Sequence, residues 1–281
     1  MSVVYVDKQL VHYELLGRGR PIIFLHSWLG SWRSWMPSME AVSDRYRTLA
    51  FDFWGFGDSA PPRDDITIER YVDQLNGFVE VLGIQTPHLV GHGLGGLIAV
   101  RAASTQAARY GKVLITATPI VGTVLQPAPQ TGSIGRLFGR GARGNEQWLK
   151  LVRQVIGGTN GASNFSEILE DIEATDPQVV NQVLAAITDV DLRSDLARLQ
   201  QPLLAIYGKG DTILPAAHSA AIKDVAGRFR QLLIFEQSGH FPFLDQSNQF
   251  TRALLQFFTD EDQVVELKAE WRRRVSQREF L

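Results

Sequence analysis

Apolar positions along the chain change their period several times, and each change marks an element. Residues 3–6 and 11–16 have the β-branched, apolar content of strands and lie close enough to pair as an antiparallel hairpin at a sheet edge. After the turn Gly17-Arg18-Gly19-Arg20-Pro21, residues 22–25 are apolar without a break, as in a strand buried on both faces. Residues 36–42 read as a helix and 48–51 as the next strand. Ile68, Val72, Leu75, Val79 and Leu82 recur at helical spacing, which predicts an amphipathic helix stopping at Gly83. Leu89 and Val90 form a short strand before a helix carrying Leu97, Ile98 and Val100, and residues 112–115 are a further strand.

From residue 120 the alternation stops. Residues 126–144 are rich in Gly and Pro, with Arg136, Arg140 and Arg143 interleaved, and read as a solvated lid segment; helical patterns follow at 148–156 and 177–187. Strand, helix and strand resume at 203–207, 215–225 and 231–235, and a closing helix covers 246–258. This order predicts an α/β fold with a doubly wound, mainly parallel sheet. Its core would be residues 1–119 and 196–260, with 120–195 inserted as a helical cap. Beyond 260, Val264, Leu267, Trp271 and Val275 fall on one stripe of a helix over 261–281. That stripe is expected to pack on its own domain or to meet a protein partner.

Composition narrows the function. The 281 residues are 44% hydrophobic and 21% charged, as in soluble globular proteins large enough for a substantial core. A net charge of −2 gives no electrostatic case for nucleic acid or an anionic membrane. Without cysteine there is no disulfide framework, thiol nucleophile or thiolate metal site. No apolar run approaches the ~20 residues of a membrane span, and the first residues do not read as a signal peptide. The expectation is a cytoplasmic protein, needing no metal or cofactor, that meets a small apolar molecule.

Residues 89–99 read Leu-Val-Gly-His-Gly-Leu-Gly-Gly-Leu-Ile-Ala, a strand, a sharp glycine turn and a helix. Asp52-Phe53-Trp54-Gly55-Phe56-Gly57-Asp58-Ser59 precedes it. Later come Gly208-Lys209-Gly210-Asp211-Thr212-Ile213-Leu214-Pro215 and Ser238-Gly239-His240. Taken together and in this order, the four segments resemble the α/β-hydrolase family over nearly the whole chain outside the cap and tail. The resemblance implies cleavage of an ester or related bond. His240 would be general base and Asp211 its orienting partner. The N–H groups of Trp28 and Leu94 would form the oxyanion hole, and Ser27, Trp28, Phe53 and Phe241 would border the substrate.

Two positions depart from the family pattern. The turn that resembles the nucleophile elbow carries Gly93 where the family has its serine, so no acyl-enzyme can form there. Ser27 stands where the family usually has glycine. A nucleophile at Ser27 would approach the carbonyl from the side meant for its oxygen, so Ser27 reads as a loop serine bonded to its own backbone. His92 reads as packed beneath the elbow, and His12, His88 and His218, which show no metal-ligand spacing, as structural. Trp28, Trp32, Trp35, Phe53, Trp54 and Phe241 are expected to contribute to an apolar pocket. Three functions fit. One is a hydrolase of small apolar esters with impaired or altered chemistry. The second is a cofactor-free lyase or proton-transfer enzyme, with Gly93 leaving room for a water. The third is a ligand-binding pseudoenzyme. Fold alone does not choose among them; the matched His240 and Asp211 favour the hydrolase scaffold.

Overall fold

The computed structural model describes residues 2–28, 30–125, 166–224, 230–259 and 265. Its eight strands are β1 (Ser2–Val6), β2 (Gln9–Leu16), β3 (Arg20–Leu25), β4 (Tyr46–Phe51), β5 (His88–His92), β6 (Val113–Thr116), β7 (Leu203–Gly208) and β8 (Arg230–Phe235). They form one sheet in the order β1-β2-β4-β3-β5-β6-β7-β8. β1 and β2 are an antiparallel hairpin at one edge, and β2 joins β4 antiparallel. Every other neighbouring pair is parallel. The hairpin turn is Asp7-Lys8, both at positive φ (48° and 59°), as a two-residue turn between twisted strands requires.

The central strands are buried because helices cover both faces. α1 (Met36–Val42) and α2 (Ile68–Val81) lie between early strands. The Thr67 side chain caps α2 by accepting from Arg70 N–H. α3 (Leu94–Thr105) follows β5 and is buried through its first seven residues, Leu94 to Val100. A Cβ at Gly95 would overlap the Leu25 carbonyl, so only glycine lets α3 approach β3 this closely.

Between β6 and β7 the described residues form α4 (Ser166–Ala174), α5 (Pro177–Thr188) and α6 (Arg193–Arg198). The buried carboxylate of Asp195 ties α6 to α3, accepting from Arg101 Nε and Ser104 Oγ, each at 2.9 Å. The continuous helix expected over 215–225 is instead a 3-10 turn, Ala216–Ser219, followed by a short α7 (Ala220–Asp224). In that tight turn His218 leaves the helix path, and its Nε2 accepts from the amides of Ile120 (2.7 Å) and Val121 (3.2 Å). α8 (Pro242–Asp245), too short to show a period, precedes the closing α9 (Ser247–Thr259). Of the tail, only Val265 is described. It is buried, and its N–H donates to Gln231 Oε1 at 2.9 Å. The stripe Val264, Leu267, Trp271 and Val275, the segments 126–144 and 148–156 and their arginines lie outside the described residues. Among the described residues no helix is long and apolar enough to cross a membrane.

Candidate active site

Loops leaving the C-terminal ends of β3, β5, β7 and β8 carry the candidate residues, as expected at the ligand-binding edge of an open α/β sheet. β5 ends at His92 and the chain turns through Gly93 at φ 52°, ψ −112° into α3. That conformation is strained for any residue with a Cβ and open to glycine. The turn is held by Gly93 N–H donating to Thr116 O (3.0 Å) and by Gly93 O accepting from Gly96 N–H (3.1 Å). Leu94 N–H heads α3, where helical geometry leaves it no intrahelical acceptor and the helix dipole favours negative charge.

Ser27 lies directly across from this turn. β3 and β5 are parallel neighbours with Leu25 paired to Gly91, so two residues further on Ser27 comes opposite Gly93. A Cβ built on Gly93 would overlap Ser27 Oγ and come within 3.0 Å of Ser27 Cβ. Ser27 is buried, and its Oγ has no hydrogen-bond partner among the described residues. The expected bond to its own backbone is not formed. His26 fixes the loop: its Nδ1–H donates to Ser27 O (2.7 Å) and its Nε2 accepts from Phe53 N–H (3.0 Å). Burial pushes the His26 imidazole below its usual pKa, which keeps the neutral form that this donor–acceptor pattern needs.

The histidine–aspartate pair comes from the other half of the sheet. Asp211 Oδ1 accepts from the amides of Ile213 (2.8 Å) and Leu214 (2.9 Å), and Oδ2 accepts from His240 Nδ1–H at 2.8 Å. The two loops are tied by Gly210 N–H to Ser238 O (2.9 Å), and Gly239 N–H donates to Asp245 Oδ2 (2.7 Å). His240 is 4% exposed, and its Nε2 is buried without a hydrogen-bond partner among the described residues. Beneath it, His92 Nε2–H donates to His240 O at 3.1 Å, and the two rings lie 4.8 Å apart. Burial, reinforced by the neighbouring His240, holds the His92 imidazole well below its usual pKa, so it supports His240 as a neutral donor.

The aromatic residues divide. Phe241 sits edge-on to His240 (5.3 Å) and against His92 (4.9 Å). Trp28 is 4% exposed in the loop beside Ser27. Phe53 is fully enclosed among His26, Phe51 and Tyr71, and Trp35 stacks on Phe243 at 4.2 Å; both are core side chains. A cleft of about 500 Å³ beside Ile66, Glu69, Arg101 and Gln182 is remote from His240 in its lining.

Two further groupings were invisible in the sequence. Asp171 of α4 accepts from Ser31 Oγ, and Arg33 Nη1 donates to both its oxygens at 3.1 Å, which ties α4 to the loop after β3. His12, Asp52 and Asp58 bring their ligand-type atoms within 4.8 Å of one another. Asp52 is already committed, however: Oδ2 accepts from His12 Nδ1–H (3.0 Å) and Asp58 N–H (3.1 Å), and Oδ1 from Trp32 N–H (2.9 Å). This is a staple for the 52–59 loop. Both groupings join residues far apart in the chain, so no local spacing announces them.

A mainly parallel sheet with a glycine-lined elbow, followed in chain order by an aspartate and its hydrogen-bonded histidine, is the architecture of the α/β hydrolases. The chain belongs to the alpha/beta hydrolase family, whose sequence profile matches residues 22–253. Among its relatives is the pimeloyl-[acyl-carrier protein] methyl ester esterase of Xanthomonas oryzae pv. oryzae, 31% identical over 88% of this chain and 98% of that protein. The enzyme of the same name from Vibrio cholerae is 24% identical over 89% and 98%. Similar solved structures include a bromoperoxidase from Bacillus anthracis (TM-score 0.81, 23% identity, 92% of this chain and 100% of that one) and an esterase from Exiguobacterium antarcticum (TM-score 0.82, 19% identity, 92% and 99%).

Proposed function

We propose that this protein hydrolyses small carboxylic esters with an apolar acyl part, using His240 and Asp211 as its acid–base pair. The observation that carries the reading is the His240–Asp211 geometry. Asp211 has both oxygens saturated by donors, so its carboxylate is fixed in place. It accepts from Nδ1–H, which leaves Nε2 as the acceptor; this is the tautomer a general base requires. Leu94 N–H at the head of α3 is the donor for the oxyanion, with the Trp28 amide as its partner in the hole. Phe241, edge-on to His240, is the apolar wall nearest the reacting atoms. The curated relatives cleave a methyl ester according to their names, and the ester class is what we carry over. Segment 120–195 would act as the cap, with α4 held to the loop after β3 through Asp171.

A ligand-binding pseudoenzyme has no need for a carboxylate locked by two amides on the histidine. The test is turnover of p-nitrophenyl esters of graded acyl length. We expect hydrolysis that disappears in His240→Ala. Turnover no higher than that of His240→Ala across the series would overturn the reading.

A further inference from the structure

We infer that Ser27 is the nucleophile of this enzyme, relocated from the elbow at position 93 to the loop after β3. This rests on the hydrolase reading above. The site for a side chain on residue 93 is not empty: a Cβ there would overlap Ser27 Oγ and crowd Ser27 Cβ. A hydroxyl oxygen therefore stands in the elbow's side-chain space, supplied by the neighbouring strand. The β3–β5 register explains how, since Leu25 pairs with Gly91 and Ser27 follows opposite Gly93.

Hydrogen bonding makes the second argument. Buried hydroxyls and imidazole nitrogens are usually satisfied, so each exception calls for an explanation, a catalytic role being one; His12 Nε2, His88 Nε2 and Thr116 Oγ1 are exceptions elsewhere among the described residues. The loop and elbow hold one such exception, Ser27 Oγ, and the acid–base pair holds another, His240 Nε2. These are the two atoms that exchange a proton in a nucleophile–base pair. They are not hydrogen-bonded to each other; pairs of this kind commonly close only as the reacting substrate fills the site. The backbone is held ready on both sides. His26 fixes the Ser27 carbonyl, and Gly93 keeps the elbow conformation at φ 52° with no side chain to compete for the space.

This placement also removes the objection drawn from the sequence. A serine on the oxyanion loop would attack from the wrong side if its hydroxyl pointed along that loop. Here the hydroxyl stands in the elbow's volume, so it attacks from the direction of an elbow side chain. Ser27 Oγ bonds to the ester carbonyl carbon as its proton passes to His240 Nε2, and the carbonyl oxygen becomes an oxyanion facing Leu94 N–H. The C–O bond to the leaving alcohol breaks, and His240 returns the proton to that oxygen. Water then attacks the Ser27 ester, giving its proton to His240. Collapse releases the carboxylic acid and restores the Ser27 hydroxyl with the proton from His240.

The experiment combines labelling with a swap. Wild-type protein is treated with a fluorophosphonate and the modified peptide located by mass spectrometry. Hydrolysis of a p-nitrophenyl ester is measured for wild type, Ser27→Ala, Ser27→Gly, Gly93→Ser and the double variant Ser27→Gly/Gly93→Ser. We expect stoichiometric label on Ser27, and activity lowered about a thousandfold or more in both Ser27 variants. Label should move to position 93, with activity regained, in the double variant. Gly93→Ser alone crowds the two hydroxyls together and should be less active than the double variant. If His240-dependent hydrolysis persists in Ser27→Ala and Ser27→Gly within threefold, and Ser27 stays unlabelled, the inference is overturned while the hydrolase reading stands. If wild type neither hydrolyses nor labels, while the double variant does both, both readings are overturned for this chain. The wild-type labelling needs no variant to fold.

Discussion

Among the described residues, two buried histidine–aspartate pairs have nearly the same shape but different surroundings. In both, Nδ1–H donates to an aspartate Oδ2: His240 to Asp211 at 2.8 Å, and His12 to Asp52 at 3.0 Å. In both, the histidine is almost wholly buried. The difference lies beyond the shared bond. His12 Nε2 faces a second carboxylate, Glu14, at 3.4 Å, and Asp58 approaches Nδ1 at 4.0 Å. Burial opposes its charge, but the hydrogen-bonded Asp52 with Asp58 and Glu14 outweighs burial, and the pKa of His12 is raised. The raised pKa favours the charged form of His12, which braces the loop. Neither Nε2 has a hydrogen-bond partner among the described residues, but only that of His12 lies against a carboxylate; His240 Nε2 stands at the end of the sheet where the elbow turns. The bond length alone does not separate a catalytic pair from a staple. What faces the far nitrogen does.

Breaking the proposed catalytic pair should have the largest effect. His240→Ala is expected to lower kcat/KM on an ester by about 10⁴ or more, through loss of the base, with secondary structure by circular dichroism unchanged. Asp211→Asn should be some ten- to a hundredfold less damaging, because the base remains but loses its tautomer and orientation. Equal losses in the two variants would show that Asp211 does more than orient.

How much of this contrast could be read from the sequence depends on distance along the chain. Strands such as Ile22 to Leu25 announce themselves through local periodicity. His240 and Asp211 do so through short motifs in a recognisable order, and they meet where that order implies. The His12–Asp52 pair joins β2 to a loop 40 residues away, with no motif linking them. The meeting of Ser27 with Gly93 depends on the β3–β5 register, which single-sequence patterns do not specify. His218, similarly, is read locally as part of a helix, yet its two acceptor bonds lie nearly 100 residues back. Position 93 shows the same limit in another form. The sequence shows a missing side chain there, and only the fold shows what fills its space.

His12→Gln should invert the pattern of His240→Ala, leaving ester turnover within about threefold. It should cost roughly 2–3 kcal/mol of stability near pH 6, since Asp52 stays buried without its cation but keeps the amides of Trp32 and Asp58. Urea denaturation monitored by tryptophan fluorescence measures it. A comparable loss of turnover would mean that the staple also shapes the active site through Trp32 and the loop after β3.

The smallest expected effect is the pH dependence of that cost, and its sign is the sharpest test of the comparison. The pKa of folded His12 is raised above the 6.5 of a free imidazole, chiefly by Asp52 working against burial. The folded protein therefore holds this proton more tightly than the unfolded chain does. The stabilisation is fully present below pH 6.5 and is lost as pH rises through the folded value. The stability gap between wild type and His12→Gln should accordingly narrow as pH rises above 6.5 and through the folded value. His88 works in the opposite direction. Burial, with Arg20 and Lys112 nearby, pushes its pKa down to about 3, so it destabilises the fold as pH falls from 6.5 toward that value. His26, His92 and His218 are lowered as well. Because wild type and His12→Gln share these four groups, their contributions cancel in the difference, and the gap reports His12 alone. A gap that stays constant over that range would mean that His12 is neutral in the fold and paired with Asp52 only by a hydrogen bond. The elbow alone would then distinguish the two pairs.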